Sequence, residues 1–396
     1  MIGIDFRDVQ TAIALAATVL CAMTNEATAV PAELRDYDPS RLVRFATPRQ
    51  ADAKRRELVC FIWPDGLPLK ALPNVTRGIG QGVFERDLTG VNGSLSRLVD
   101  RLDAVVAPFD FHAISYLIHP RAENANNRRM VIVHSGHRRA GALDAGVNDT
   151  IDRLLADGFT VLVMDMPATG WNTDKTIELP DGGGLVTIND RRTAAHNDMF
   201  NKLTPKLPDG EVFRFFLDPV VQGVNHFLHT KPDAADVSML GLSGGGWTTH
   251  MAAAVDPRIK QSFPVAGAYP LYARDFAPGS RGDAEQYYAP LYREIDSNGD
   301  AIPDTAGGVA SWLEIFALGG YGKGRRQIQV LNLEDSCCFH SDVYETYDDF
   351  VSDIVDKLGH GDWDLHSDRT HKSHIISADV LKRVVMPALE SSVLDN

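Results

Sequence analysis

Short, mostly apolar segments recur along the chain and are separated by longer amphipathic or polar segments. Apolar runs of four to seven residues are typical of strands, whereas apolar positions at a spacing of three or four indicate helices. The segments that we predict to be strands are 58–63, 110–119, 129–133, 160–164, 237–240, 262–266, 327–333 and 363–366. The segments that we predict to be helices are 147–156, 212–228, 247–255, 343–358 and 378–389. Alternating strands and helices favour an α/β fold, a mostly parallel central sheet with helices on both faces.

Residues 272–326 interrupt this alternation, because they separate two predicted strands by a long segment rich in Tyr, Gly and Asp. An insertion of this length between core strands usually forms a lid or cap over a site. We therefore predict one domain, residues 30–396, with a cap-like insertion at 272–326 that supplies part of a pocket. Residues 30–57 are polar, and we predict an irregular structure for them.

The chain has 396 residues, of which 44% are hydrophobic and 23% are charged. This is the composition of an ordinary globular protein. The formal net charge of −14 is spread along the sequence and contains no basic cluster. Nucleic-acid binding needs a basic surface, so the charge argues against nucleic acid as a partner.

The N-terminus contains an apolar run, 11–23, which is too short for a membrane-spanning helix. Ala27-Thr28-Ala29 follows it and matches the small-residue cleavage site of a secretory signal. We predict that residues 1–29 are a signal peptide and that the mature chain is secreted or periplasmic, without a membrane span. Asp5 and Asp8 outnumber Arg7 in a region that is usually positive. A cytoplasmic chain with an amphipathic N-terminal helix is therefore the alternative.

Cleavage after Ala29 leaves three of the four cysteines, Cys60, Cys337 and Cys338. The adjacent pair can form a disulfide with each other, one of them can pair with Cys60, or all can be free thiols. The sequence leaves these alternatives open. No C-x-x-C pair has the spacing of a zinc site, so we expect no cysteine-bound zinc.

The sequence Gly241-Leu242-Ser243-Gly244-Gly245 matches G-x-S-x-G and lies between a predicted strand and a predicted helix. A serine on such a tight turn, with glycines around it, is the arrangement called the nucleophile elbow. The glycines are needed because the turn leaves no room for larger neighbours. Ser243 is therefore the candidate nucleophile.

Four motifs in this order resemble those of the α/β-hydrolase family. They are His134-Ser135-Gly136-His137 after one strand, Asp165-Met166-Pro167-Ala168-Thr169-Gly170 after the next, the turn at Ser243, and Ser373-His374-Ile375-Ile376-Ser377 before the last helix. The resemblance covers about residues 125–390 and implies a serine hydrolase, similar to esterases, whose first antiparallel strands precede residue 125.

The resemblance implies a catalytic triad in the chain order serine, acid, histidine. A histidine must take the proton of Ser243, and a carboxylate must orient that histidine. His374 precedes the closing helix, as in the family, with His371 as the alternative. Asp335 lies in the turn after strand 327–333, with its neighbour Glu334 as the alternative.

The oxyanion of the tetrahedral intermediate needs preorganised N–H donors. By the resemblance, one donor is the backbone N–H of Gly244, and the second is that of Gly136 or His137. The side chain of His137 can instead face the substrate. We expect no metal at His134 and His137, because no third ligand has a clear spacing in the sequence.

One acidic loop in the insertion resembles the calcium loops of thrombospondin type-3 and dockerin repeats. Asp296, Asn298, Asp300 and Asp304 place oxygen ligands at positions 1, 3, 5 and 9. Ala301 replaces the usual glycine, and the expected glutamate at position 12 is absent. We expect no catalytic cofactor and regard this loop as a weak candidate for a structural Ca²⁺ site.

Together these features predict a hydrolase of carboxylic esters that acts through an acyl-enzyme on Ser243. The partner is a small-molecule or carbohydrate ester. A serine peptidase of the prolyl-oligopeptidase type is an alternative, but about 125 residues before the hydrolase region are too few for its propeller. A non-catalytic binding protein on the same fold is a third hypothesis.

Overall fold

The computed structural model describes residues 30–121, 126–138, 141–144, 146–173, 175–188, 194–233, 236–274, 282–293 and 307–391. The predicted signal peptide, 1–29, lies outside the described residues. The predicted calcium loop, 296–304, also lies outside them.

A nine-stranded sheet forms the centre of the molecule, with strand order β1-β2-β3-β5-β4-β8-β9-β10-β11. Its strands are β1 (Asn74–Thr76), β2 (Ser96–Val106), β3 (Phe111–Pro120), β4 (Asn126–His134), β5 (Phe159–Met164), β8 (Asp236–Leu242), β9 (Ile259–Val265), β10 (Arg326–Asn332) and β11 (Asp362–Asp368). Strands β6 (Thr176–Leu179) and β7 (Gly184–Thr187) form a separate hairpin. β1, β2 and β3 are antiparallel, and β3 also pairs antiparallel with β5. All pairs from β5 through β4 to β11 are parallel.

Both faces of the parallel part of the sheet are buried. Ile132 and Met239 point into the larger hydrophobic core, whereas Val133 and Leu240 point into a second core on the opposite face. Side chains alternate between faces along a strand, so consecutive apolar residues such as Met130–Val133 are buried because both faces are covered.

Helices cover the two faces. They are α1 (Pro48–Ile62), α2 (Val83–Arg86), α3 (Val147–Ala156), α4 (Ala194–Leu203), α5 (Arg214–Thr230), α6 (Gly244–Val255), α7 (Leu271–Arg274), α8 (Trp312–Gly320), α9 (Asp348–Leu358), α10 (Ala378–Val380) and α11 (Met386–Ser391). A π-helical turn, Leu381–Val385, joins α10 to α11. Short 3₁₀ helices lie at Ala32–Leu34, Pro39–Leu42, Gly93–Leu95, Pro180–Gly182, Glu211–Phe213, Ala284–Gln286 and Asp342–Thr346. The larger core contains α1, α5, α6, α8 and α9, and the second core contains α3 and the closing helices.

The composition of the segment 58–63 predicted a strand, but this segment is the end of α1. Thr47 caps this helix by accepting a hydrogen bond from the Gln50 N–H, and Pro48 occupies the first turn. The helix buries Leu58 and Ile62, which are four residues apart and share one face. The prediction of an irregular segment at 30–57 is therefore also wrong for its last ten residues.

Part of the insertion 272–326 is described. Its α8 contacts α6, the helix that follows Ser243. The hydroxyl of Tyr292 accepts a hydrogen bond from the Trp247 indole and donates one to the Glu285 carbonyl. The described part thus packs onto the element that begins at the nucleophile turn, while its role as a cap stays a prediction.

The carboxyl ends of the parallel strands lie on one edge of the sheet. The segments after β4, β5, β8 and β11 carry the four motifs at this edge, and the segment after β10 carries Asp335. Among the described residues, no helix has the length and apolar character needed to cross a membrane.

Candidate active site

Ser243 occupies the turn between β8 and α6 with φ 60° and ψ −121°. A non-glycine residue at positive φ is strained and persists only where its surroundings hold it. The Ser243 N–H donates to the carbonyl of Val265 on β9, at 2.9 Å. Its own carbonyl accepts from the Trp247 N–H in the first turn of α6, also at 2.9 Å. The backbone of this half-buried serine is therefore fixed on both sides.

The turn has no room for side chains at the positions of its glycines. A Cβ on Gly241 would overlap the carbonyl of Gly245, and one on Gly245 would overlap the carbonyl of His134. Because these contacts are with backbone atoms, no side-chain rotation can relieve them. The G-x-S-x-G pattern is thus a steric requirement of this turn.

Asp335 and His374 form a hydrogen-bonded pair near the ends of two neighbouring strands, β10 and β11. The Oδ2 atom of Asp335 lies 2.5 Å from the Nδ1 atom of His374. The second oxygen of Asp335 accepts the N–H of Cys337 at 2.7 Å. Asp335 is buried and His374 is partly exposed. Because a carboxylate only accepts, Nδ1 of His374 carries a proton, and in the neutral ring Nε2 presents a lone pair.

That Nε2 atom of His374 has no hydrogen-bond partner among the described residues, although it is buried. A buried polar atom without a partner calls for an explanation. The role of a general base gives one, because a free Nε2 lone pair can accept the proton of a hydroxyl group.

The alternative residues have other environments. Glu334 is exposed at the position before Asp335. The Nε2 atom of His371 lies 3.1 Å from the carboxylate of Asp368. The structure brings together Asp335 and His374 and does not bring Glu334 or His371 into that pair.

Two hydrogen bonds hold the loop that carries His374. Asn332 at the end of β10 donates from its amide to the carbonyl of Ile375, at 2.8 Å. Ser377 donates to the carboxylate of Asp368 at the end of β11, at 2.6 Å. The loop is therefore fixed to both strands on either side of the Asp335–His374 contact.

The loop after β4 approaches the nucleophile turn closely. A Cβ on Gly136 would lie 2.7 Å from the Cβ of Ser243, so only glycine fits there. However, the Gly136 N–H donates to the carboxylate of Asp144, at 3.0 Å. The Gly136 N–H is therefore engaged, which argues against it as an oxyanion donor. Gly244 and His137 are the candidates that remain.

His137 takes part in a cluster of buried polar groups beside this turn. Its Nε2 atom lies 2.7 Å from Nδ1 of His196, 2.9 Å from Asp283 and 3.5 Å from Glu285. Burial alone would lower the pKa of His137, but Asp283 and Glu285 raise it to about 10. Burial would raise the pKa of Glu285, but the two histidines lower it below its usual range.

The motifs in the sequence contain only one member of this cluster, His137. His196 lies on α4, and Asp283 and Glu285 belong to the insertion. The four residues come from three distant segments and follow no motif, so only the fold brings them together. The ring of His137 also lies beside Gly244, where a Cβ would be 2.8 Å from its Nδ1 atom.

The segment after β5 is held by a buried ion pair. Arg138 donates from Nε and Nη2 to the two carboxylate oxygens of Asp165, at 2.7 and 2.5 Å. The Trp171 N–H donates to the same carboxylate at 3.0 Å. Burial raises the pKa of Asp165 to about 6, although Arg138 opposes this by favouring the charged form. The motif 165–170 therefore anchors two loops and supplies no free acid.

Cys337 and Cys338 form a disulfide with each other, directly after the candidate acid. Cys60 is an exposed free thiol. Of the alternatives that the sequence left open, the structure contains the vicinal pairing.

No family model matches the chain, and no curated protein matches its sequence. Solved structures do match its fold. Acetyl xylan esterase 1 from Thermoanaerobacterium sp. superposes with a TM-score of 0.53 at 16% identity, over 92% of this chain and 99% of the other. An acetyl xylan esterase from Paenibacillus sp. gives 0.50 at 14% identity, over 91% and 99%. A methylesterase gives 0.51 at 14% identity, over 88% of this chain and 63% of the other.

What these structures share with this chain is the architecture, a large and mostly parallel central sheet with helices. At such low sequence identity, the similarity concerns the architecture. The chain has the α/β-hydrolase fold.

Proposed function

We propose that the protein is a serine hydrolase that cleaves carboxylic esters through an acyl-enzyme on Ser243, with His374 as the base and Asp335 as the acid. The observation that carries this proposal is the Asp335–His374 hydrogen bond of 2.5 Å, together with the free Nε2 atom of His374. The proposal is supported by the position of this pair and of the strained Ser243, since all three residues come after parallel strands at the same edge of the sheet.

The reaction begins when Nε2 of His374 accepts the hydroxyl proton of Ser243. The Oγ atom of Ser243 forms a bond to the carbonyl carbon of the ester, and the carbonyl electrons move to the oxygen. Asp335 stabilises the imidazolium through the Nδ1 hydrogen bond and does not itself take the proton. The C–O bond to the alcohol then breaks, and His374 gives its proton to the leaving alcohol.

Water completes the cycle by the same steps. His374 takes a proton from water, the hydroxide attacks the acyl carbon, and the acid leaves as the proton returns to Ser243. The backbone N–H groups of Gly244 and His137 are the proposed oxyanion donors in both halves. Removing one such donor from a serine hydrolase typically costs about 10²–10³ in kcat.

Esters are the proposed substrates because the three fold neighbours described above are esterases by name. Two of the three fold neighbours are acetyl xylan esterases and the third is a methylesterase. Acetylated sugars and simple acetyl esters are therefore the first substrates to test.

The direct test of the nucleophile is labelling with a fluorophosphonate probe, followed by mass spectrometry of the labelled peptide. We expect covalent labelling of Ser243 in the wild type and none in Ser243→Ala. Ser373→Ala is a matched control, because Ser373 is an exposed serine beside His374. Labelling that persists in a folded Ser243→Ala variant, or is absent from a folded wild type, would refute the proposal.

A hydrolysis panel defines the reaction class. It contains p-nitrophenyl esters of increasing chain length, acetylated sugars and a peptide amide. We expect esters to be cleaved with a kcat/KM that exceeds that for the amide. Faster cleavage of the amide would favour the peptidase, and a folded wild type without any turnover would favour a binding protein.

A further inference from the structure

Four potential metal ligands converge beside the nucleophile turn. They come from separate parts of the chain: His137 from the loop after β4, His196 from α4, and Asp283 and Glu285 from the insertion. One ligand atom from each residue lies within 4.8 Å of all the others. The side chains of His196 and Glu285 are fully buried, and those of His137 and Asp283 are 11% and 17% exposed.

The orientation of His196 leaves a lone pair inside this cluster. Its Nε2 atom lies 2.9 Å from the carbonyl oxygen of Pro167. A carbonyl only accepts, so Nε2 carries the proton, and Nδ1 of the neutral ring faces His137 and Glu285 as a lone pair. A ring N–H that donates to a backbone carbonyl is the usual support of a metal-binding histidine.

Hydrogen bonds alone do not satisfy these groups. The Nε2 atom of His137 has His196, Asp283 and Glu285 as neighbours at 2.7, 2.9 and 3.5 Å. One ring nitrogen carries one proton, so it can donate fully to only one of these three acceptors. In addition, the Oε2 atom of Glu285 is buried without a hydrogen-bond partner among the described residues. Several acceptor atoms therefore face a single proton of His137 in a buried region.

We propose that His137, His196, Asp283 and Glu285 bind a divalent zinc ion. A cation accepts the lone pairs of all four ligands, and two carboxylates balance its charge. Bonds of about 2.0–2.2 Å in a tetrahedron place ligand atoms about 3.3–3.6 Å apart. Four of the six ligand separations here are 2.7–3.5 Å and the other two are within 4.8 Å, so the shortest, His137–His196, must lengthen by about 0.6 Å to reach that geometry.

The ligand types select the metal. Ca²⁺ prefers six to eight oxygen ligands, and Mg²⁺ prefers an octahedron that keeps several waters. Two imidazoles and two carboxylates in a small, mostly buried site suit zinc, with four protein ligands and no open position. The ion thus has a structural role. This departs from our expectation from the sequence that no metal binds at His137.

The site joins the insertion and α4 to the loop that carries a proposed oxyanion donor. His137 provides the ligand Nε2, its ring lies beside Gly244, and its backbone N–H is the proposed oxyanion donor. The bound ion would hold this loop in place, which makes it a positioning element for the proposed function. Metal binding itself does not depend on Ser243 or on any activity.

The test uses the full chain, freed of metal with a chelator and then titrated with ZnCl₂ or CoCl₂. By metal analysis we expect about one zinc ion per chain and a melting temperature that rises with zinc. Co²⁺ should give the visible absorption of a four-coordinate site, and this measurement uses the wild type alone. A folded wild type that binds neither ion in stoichiometric amount would overturn the proposal.

Variants locate the ion. Asp283→Asn and Glu285→Gln remove one anionic ligand each with little change in shape, and we expect zinc affinity to fall at least about tenfold. His112→Asn is the matched control, because His112 lies near two carboxylates on the surface, those of Asp103 and Asp110. Unchanged zinc affinity in both ligand variants, or an equal loss in the control, would contradict this location. Ser243→Ala should bind zinc as the wild type does, which separates this proposal from the proposed function.

Discussion

Both oxygens of Asp335 are engaged, and this fixes the orientation of His374. One oxygen accepts the Cys337 N–H at 2.7 Å, and the other lies 2.5 Å from Nδ1 of His374. The first contact stops the carboxylate from rotating, so the second holds the imidazole in one tautomer. Glu334 has no comparable position, because its side chain is exposed at the end of the same strand.

We expect Asp335→Asn to lower kcat by about 10³–10⁴, because an amide can donate to Nδ1 and so favour the tautomer with the proton on Nε2. The measurement is steady-state hydrolysis of p-nitrophenyl acetate. Glu334→Gln is the matched control and should retain kcat within about twofold. A larger loss of kcat in Glu334→Gln than in Asp335→Asn would reverse the assignment of the acid.

The sequence identified Ser243 because the turn itself demands glycines at fixed spacing. It reduced the base to His374 and His371, but it could not separate them, since both lie in the same loop. What distinguishes them is a neighbour in space. His371 lies beside Asp368, the last residue of β11, which belongs to no motif. The use of the Gly136 N–H by Asp144 could not be predicted for the same reason.

Among the elements, α1 shows where periodicity is ambiguous. A run of six apolar or aromatic residues at 58–63 is compatible with a buried strand or with the end of a helix. The deciding signals lie ten residues earlier, in the cap at Thr47 and the proline at position 48. The predicted helix 147–156 has the bounds of α3, because its apolar stripe and its closing Asp157-Gly158 are both local.

Arg325 connects three elements in the interior. Its guanidinium donates to the carbonyls of Ala253 at the end of α6, Leu318 in α8 and Ile259 at the start of β9. It also donates to the carbonyl of Tyr321, just after α8. Burial lowers the pKa of this arginine well below its usual value. The hydrogen bonds to these carbonyls offset the cost of a buried charge.

We expect Arg325→Met to lower the free energy of unfolding by about 2 kcal/mol or more, because the carbonyls of Ala253 and Ile259 lose this donor, whereas those of Leu318 and Tyr321 also accept from Arg55. Urea denaturation followed by circular dichroism measures this change. Arg383→Met is the control, since Arg383 is an exposed arginine on the π-helical turn, and it should leave the unfolding midpoint unchanged. Equal midpoints for Arg325→Met and the wild type would contradict this role.

In the whole molecule, the parallel half of the sheet could be predicted because its strands are apolar on both faces. The antiparallel strands β1 and β2 were expected only as a region before residue 125, since their polar alternation gives a weaker signal. The cluster around His137 could not be predicted at all. It forms only when the insertion and α4 pack against the loop after β4, and contacts between such distant segments leave no pattern in the sequence.

Two buried histidines make the stability of the whole fold depend on pH. Burial lowers the pKa of His134 to about 4 and that of His250 to about 3. In the unfolded chain both titrate near 6.5. Between pH 6.5 and about 4 the unfolded state therefore binds more protons than the folded state. The free energy of unfolding must then fall as the pH falls, by up to about 1.4 kcal/mol per pH unit for each histidine.

His250 is the better of the two to test, because it lies in the core on α6, where its Nδ1 atom is 3.0 Å from the Gln327 side-chain oxygen. We expect His250→Gln to reduce the slope of unfolding free energy between pH 6.5 and 5 by about 1 kcal/mol per pH unit. Urea denaturation at several pH values gives the slope for the wild type and for the variant. Their difference isolates the contribution of His250, because all other titratable groups are the same in both proteins. His229→Gln, an exposed histidine near the end of α5, should keep the wild-type slope. If His250→Gln also kept it, the folded protein would bind a proton at His250 as readily as the unfolded chain does.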